Sequence, residues 1–204
     1  TVRLDTRESL NQPPFGNVID YLTYGGLYRE VYIDVKNEVY IEDVELNIER
    51  VMDITKMLQI DVRLNEECED LKIQQTLLDI DGRKVVEFSS IQNTHASYGV
   101  TDVEMWSTEN PKLYQLHTIL YRGDQKQDEH TLCFAFREAK FGADGFYLNG
   151  KKLKIRGLNR HQSYPYVGYA MPERPQKRDV DILVDELGVN AVRTSHYPQS
   201  QHFL

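Results

Sequence analysis

From Val44 to Phe136 apolar and polar residues alternate with a period of two, and this pattern limits the fold more than anything else in the chain. Val44, Leu46 and Ile48 alternate with Glu45, Asn47 and Glu49; Leu58, Ile60, Val62 and Leu64 alternate with Gln59, Asp61 and Arg63. Successive strand side chains point to opposite faces, so the pattern buries one face of a sheet and wets the other. Residues 71–80 continue it, with a change of phase near Thr76 and Leu77 that predicts a bulge. Asp81-Gly82 predicts a two-residue hairpin turn that returns through Val85, Val86 and Phe88. Residues 100–105, 113–121 and 131–136 complete a set of seven strands. Seven strands between turn signals, without a helical period, predict an immunoglobulin-like β-sandwich over residues 41–138. Trp106 and Pro111-Lys112-Leu113-Tyr114 read as a packed corner, with a sugar-stacking ring as the other reading of Trp106.

The flanks follow other rules. Residues 1–40 are interrupted by Pro13-Pro14-Phe15-Gly16 and Gly25-Gly26, and residues 27–33 alternate as one strand. One strand makes no core, so this stretch reads as the tail of another β domain. Thr1-Val2-Arg3-Leu4-Asp5 has none of the features of a signal peptide and reads as a start within a longer chain. Beyond residue 138, Phe146-Tyr147-Leu148 and Lys152 to Ile155 predict a hairpin around Asn149-Gly150. A loop rich in Pro, Tyr and Gly runs to Pro175. Val180, Leu183, Val184 and Leu187 then fall on one helix face, and Gly188 ends the helix as a C-terminal cap. Ala191 to Thr194 predicts a short buried strand, stopped by Pro198. Strand, helix, strand over residues 139–204 is one parallel βαβ unit, which needs further strands and cover on both faces.

Composition removes some functions. A net charge of −8 argues against nucleic acid and against anionic membrane surfaces, and no apolar run approaches the ~20 residues of a membrane span. Two cysteines, Cys68 and Cys133, are too few for a disulfide framework; Cys133, within Leu132-Cys133-Phe134-Ala135-Phe136, reads as a small core residue. Chemistry is left to the βαβ unit. Both strands of such a unit end at one edge, so His161 and His196 reach the same rim, where α/β folds hold their sites. Arg193 lies at the same strand end and could hold a carboxylate in a bidentate fork. Two histidines without a Cys or carboxylate at ligand spacing do not make a zinc site. His95, His117, His130 and His202 read as surface or packing residues, and Asp181, Asp185 and Glu186 as a solvated helix face.

Three motifs, in this order and spacing, closely resemble glycoside hydrolase family 2, and its β-galactosidases in particular. They are Gly26-Leu27-Tyr28-Arg29-Glu30-Val31, Asn149-Gly150-Lys151 through Arg156-Gly157-Leu158-Asn159-Arg160-His161, and Asn190-Ala191-Val192-Arg193-Thr194-Ser195-His196-Tyr197-Pro198. The resemblance implies a mainly β chain. Residues 1–40 would be the end of a jelly-roll sugar-binding domain, 41–138 the immunoglobulin-like sandwich, and 139–204 the truncated start of a (β/α)8 TIM barrel. It implies a retaining hydrolase of terminal β-galactosides whose two catalytic glutamates lie downstream of Leu204, so that this chain contains no catalytic residue and is inactive alone. His161 and His196 then match histidines that bind sugar hydroxyls, and Arg193 matches an arginine that orients the nucleophile. Asp20 matches an aspartate near the sugar and a monovalent cation. The parent would use Mg2+ and Na+ or K+, with the magnesium ligands downstream; a homo-oligomer and a cytoplasmic location fit the resemblance. Gln162 departs from the glutamate common at its position, which keeps β-glucuronide and β-mannoside as alternative sugars. A non-catalytic carbohydrate- or protein-binding sandwich, or a spacer, is the alternative role.

Overall fold

The computed structural model of the protein describes residues 1–7, 21–66, 70–88, 94–194 and 196–204. Asp20, Cys68 and Ser195 lie outside the described residues. The chain divides into two compact units, Asp34–Lys154 and Thr1–Ile33 with Ile155–Leu204.

The first unit is a sandwich of two antiparallel sheets. One sheet has β1 (Ile41–Glu49), β2 (Lys56–Leu64) and β5 (His95–Val100) in the order β1-β2-β5. The other has β3 (Leu71–Asp79), β4 (Lys84–Glu87), β6 (Tyr114–Arg122) and β7 (Gln125–Phe134) in the order β4-β3-β6-β7. The alternation sets which face is buried. Leu58 and Ile60 of β2, and Leu77, Leu116 and Leu120 of β3 and β6, have no exposed surface, and they belong to one cluster with Phe88 and Phe136. Burying each such side chain contributes about 1.5–3 kcal/mol. The phase change in β3 is a register shift against β4 between Leu77 and Leu78.

Several expectations need correction. The turn after β3 spans three residues: Gly82 N–H donates to the Asp79 carbonyl, Asp79 N–H to the Arg83 carbonyl, and Gly82 has φ +79°. That is a turn closed by a left-handed glycine, so Gly82 is needed at its third position. The fifth strand ends at Val100 instead of beginning there, because Asp102 turns the backbone to φ +58° and the Glu104 N–H donates to the Tyr114 hydroxyl. β7 starts six residues earlier than expected; its first half is polar on both faces and carries no alternation. Cys133 is exposed, since Leu132, Phe134 and Phe136 take the inward phase of the run and leave Cys133 on the outer face. Trp106 does form a corner. Its N–H donates to the Phe136 carbonyl, its carbonyl accepts from Asn149 Nδ2, and the Arg137 guanidinium lies 5.2 Å over its ring.

The hairpin around Asn149-Gly150 belongs to this unit. β9 (Gly145–Leu148) pairs with β10 (Lys151–Leu153) and with β8 (Ala139–Gly142). Asn149 and Gly150 have φ +50° and +71°, the two left-handed residues that a tight hairpin turn of this hand requires.

The second unit holds the βαβ element. β11 (Gly157–Asn159) pairs in parallel with β12 (Ala191–Arg193), Gly157 opposite Ala191 and Asn159 opposite Arg193. The helix between them, α1 (Glu173–Asp181), begins before Pro175 and not after it. Pro175 sits in the first turn, where a missing N–H leaves no intrahelical bond unmade. The helix widens into a π-helical turn at Ile182–Glu186, and Gly188, at φ +59°, donates to the Val184 carbonyl and caps it. Val184 and Leu187 are exposed. The described strands form no closed barrel. Residues 27–33 are not a strand: no described strand lies beside them to supply a ladder, and Val31 and Ile33 are exposed. None of the described helices is long and apolar enough to cross a membrane.

Gly157 keeps the two parallel strands in register. A Cβ there would lie 2.6 Å from the Ala191 carbonyl oxygen, closer than any real contact. Gly157→Ala should therefore force β11 and β12 apart. Amide exchange at residues 157–159 and 191–193 should speed up at least tenfold while β2 and β6 keep their protection; unchanged exchange would show that the pairing tolerates a side chain.

Candidate functional site

The parallel pairing carries two imidazoles to one edge. His161 lies two residues past β11, His196 three past β12, and their ring centroids are 5.7 Å apart. Tyr21 completes the cluster, stacked on His196 at 4.8 Å and 22° and tilted against His161 at 5.5 Å. Tyr197 closes the other side of His161, with its hydroxyl 3.3 Å from Nδ1. The same hydroxyl accepts from the Gln162 backbone N–H at 3.0 Å. Both histidines are exposed, while Tyr21 and Tyr197 are half-buried. Arg193 ends β12 in an exposed position, and its carbonyl accepts from the Arg160 N–H.

Beneath this rim lies a charged anchor. Arg160 immediately precedes His161, yet only 6% of its surface is exposed. Its Nε and Nη2 donate to Asp179 Oδ2 at 2.9 and 2.7 Å, Nη2 also reaches Gln176 Oε1 at 2.7 Å, and Nη1 donates to Gln199 Oε1 at 3.2 Å. The Phe203 ring packs on the guanidinium at 4.0 Å. One side chain thus binds the β11 loop to α1 and to the segment after His196. A buried guanidinium is tolerable only with its donors met, and planar Arg meets them in several directions where Lys could not.

A second support is aromatic. Tyr169 packs against Tyr197 at 4.4 Å and meets Tyr24 and Tyr28 edge-on, and its hydroxyl donates to the Leu22 carbonyl. Arg29 donates to the carbonyls of Tyr28, Tyr169 and Pro198, which joins residues 21–29 to both loops of the rim. Burial pushes the Tyr169 phenol well above its ordinary 10.0, with the neighbouring Tyr197 adding to it. Burial also raises Tyr197, against the opposing pull of the Gln162 N–H. Gln162 itself has no exposed surface, and neither end of its amide has a protein partner.

His161 and His196 meet as their positions on parallel strands require; Asp20 lies outside the described residues, one position before Tyr21. Tyr21, Tyr197, Arg160, Asp179 and Gln176 were not singled out from sequence. A signal was available for some of them. Gln176 and Asp179 are spaced i, i+3, and with Leu183 they mark a helix face that is half polar; two polar residues facing inward ask for a buried charge. Nothing local marked Tyr21, which joins the site from more than a hundred residues away. Among the described residues no three of His, Cys, Asp or Glu converge to hold a metal.

Comparison with known proteins adds two matching family models and a set of relatives. The model "Glycosyl hydrolases family 2" matches residues 39–137, and "Glycosyl hydrolases family 2, TIM barrel domain" matches residues 140–204. A β-galactosidase of Thermoanaerobacterium thermosulfurigenes is 44% identical over all of this chain and 30% of its own length. A β-galactosidase of Thermoanaerobacter pseudethanolicus is 37% identical over all of the chain and 28% of its own. A structure of Bacteroides uniformis β-glucuronidase 2, covalently bound to cyclophellitol-6-carboxylate aziridine, superposes with a TM-score of 0.80 at 27% identity, covering 96% of this chain and 26% of that one. The chain thus spans less than a third of the length of these relatives.

The raised phenols have a consequence at high pH. The unfolded chain ionises its tyrosines near 10.0, while Tyr169 and Tyr197 in the folded chain resist. The stability they contribute is therefore complete below pH 10 and is lost as pH rises toward their folded values. An absorbance titration of the phenolates should show four of the 13 tyrosines lagging behind the rest, since burial also raises Tyr98 and the Asp144 carboxylate raises Tyr147, and in Tyr169→Phe one fewer. All tyrosines titrating together would contradict the buried aromatic support.

Proposed function

The chain belongs to glycosyl hydrolase family 2, and from that premise we propose that it is part of a retaining hydrolase of terminal β-galactosides. The observation that carries the reading is the pair of exposed imidazoles 5.7 Å apart beside Tyr21, at the ends of two parallel strands. His161 and His196 hydrogen-bond the hydroxyls of the terminal sugar. Tyr21 and Tyr197 hold the imidazoles in place, by stacking and by a hydroxyl at Nδ1. Arg193, at the end of β12, orients the carboxylate that acts as nucleophile. Asp20 contacts the sugar and a monovalent cation, a role it takes from its place in the family motif alone.

Retaining hydrolysis needs two carboxyl groups about 5–5.5 Å apart, one attacking the anomeric carbon and one protonating the leaving oxygen and then activating water. Among the described residues the tyrosine–histidine cluster contains no carboxylate. Both glutamates are assigned to barrel strands outside these 204 residues, as are the ligands of any Mg2+, on the family's pattern alone. The covalent adduct described for the Bacteroides uniformis enzyme supports the retaining course. Galactose is favoured by the β-galactosidases of Thermoanaerobacterium thermosulfurigenes and Thermoanaerobacter pseudethanolicus, at 44% and 37% identity. A β-glucuronide is the second reading, favoured by the same Bacteroides uniformis structure.

Two measurements test this. The 204-residue chain should not hydrolyse 4-nitrophenyl β-galactoside; turnover would place the carboxyls within it. In an NMR titration, methyl β-galactoside should shift the His161 and His196 ring signals, and methyl β-glucuronide should do so at least tenfold more weakly. The reverse order would assign the site to uronides.

A further inference from the structure

A polar line crosses the apolar core of the sandwich. Gln75 of β3 lies opposite Thr118 of β6, and Thr118 lies opposite His130 of β7. The three residues therefore sit side by side on neighbouring strands, about 4.8 Å from one strand to the next. All take the inward phase. Gln75 falls between Ile73 and Leu77, Thr118 between Leu116 and Leu120, and His130 two residues before Leu132. Gln75 and Thr118 are buried, and His130 is half-buried on the edge strand of the sheet.

Each of these residues holds a buried polar atom that has no partner among the described residues: Gln75 Oε1, Thr118 Oγ1 and His130 Nδ1. We infer that the line is a binding site for an internal water molecule, which bridges these three atoms between the two sheets. The inference is independent of the sugar site.

Register and number carry it first. A buried polar atom without a partner is costly, and native interiors hold few of them. Three at adjacent positions of one ladder form a single environment. The Thr118 hydroxyl stands between two potential partners and bonds neither directly. A buried water typically makes about three hydrogen bonds to such atoms, and the line supplies three.

The chemistry of the line then selects the guest. Gln75 Oε1 only accepts, the Thr118 hydroxyl donates or accepts, and His130 Nδ1 does either according to its tautomer. Water, with two donors and two acceptors, answers every combination. An anion would face an amide oxygen it cannot bond. A cation would bring a buried charge without a counter-charge, because Asp128, on the same face two residues before His130, is already held by Lys36 Nζ and the Ile41 N–H. The guest is small and neutral. His130, on the edge strand, marks its way in.

Magnetic relaxation dispersion of the water oxygen counts long-lived internal waters and is blind to proton exchange. In Thr118→Val, which keeps the shape and removes the hydroxyl, the dispersion should fall by one water and the chain should melt a few degrees lower. Thr118→Ser, which keeps the hydroxyl, should keep the water. The direction of melting is diagnostic: without a bridging water the hydroxyl is an orphan, and its removal would raise the melting temperature. The inference is overturned by an unchanged dispersion in Thr118→Val, by a Thr118→Val chain that melts at or above the parent, or by loss of the water from Thr118→Ser as well. If Thr118→Val does not fold, the parent decides: NMR cross-relaxation from water to the Leu116 and Leu120 methyls is expected, and its absence overturns the inference.

Discussion

The Arg160 guanidinium is nearly sealed from water, and three segments of the histidine site are tied to it. Asp179 and Gln176 come from α1, Gln199 and Phe203 from the segment beyond His196, and the Arg160 backbone N–H bonds β12 itself. Two short strands of three residues each could not fix two imidazoles by ladder hydrogen bonds alone. A charge that must keep all its partners acts as a clamp on three segments at once, because releasing any one exposes an uncompensated donor in the interior. The rim is then rigid where it must be: His161 follows the clamped residue directly, and Tyr197 stands between the clamp and the aromatic support.

Gln162 is intelligible on the same grounds. Its amide is buried with no protein partner, where a glutamate would bury a negative charge two residues from Arg160, whose Nε and Nη2 donors are already taken by Asp179 and Gln176. Removing the charge while keeping the shape lessens the desolvation cost. The departure from the glutamate common at this position is thus compatible with an intact rim.

Most of the sandwich was legible in the sequence because a sheet buried on one face writes its period into the residues. Leu58, Ile60, Leu116 and Leu120 mark the core without any knowledge of partners. Legibility failed where burial is not periodic. Gln125 to His130 are polar on both faces, so the first half of β7 left no pattern, and Cys133 looked internal because its neighbours are. Residues 27–33 alternate as a strand does, but a strand is a relation to a neighbour and none of the described strands supplies one. At the site, the convergence of His161 and His196 followed from chain topology, since parallel strands end on one edge. Tyr21 did not, because stacking between residues 140 and 175 positions apart leaves no trace in spacing. Arg160 and Asp179 were hidden for a simpler reason: charged residues are ordinarily read as solvated, and only the fold shows Arg160 buried with the half-buried Asp179 against it.

The clamp can be measured directly by a double-mutant cycle. Arg160→Met, Asp179→Asn and the double variant are compared for stability and for the distance-sensitive signals between the Tyr21 and His196 rings. Arg160→Met should cost about 1–3 kcal/mol, because Asp179 stays partly solvated, with Asp179 coupled to it by more than ~0.5 kcal/mol, and each single variant should weaken the ring contact. A coupling near zero, with the Tyr21–His196 contact unchanged in all three variants, would show that the histidine rim stands without the buried charge.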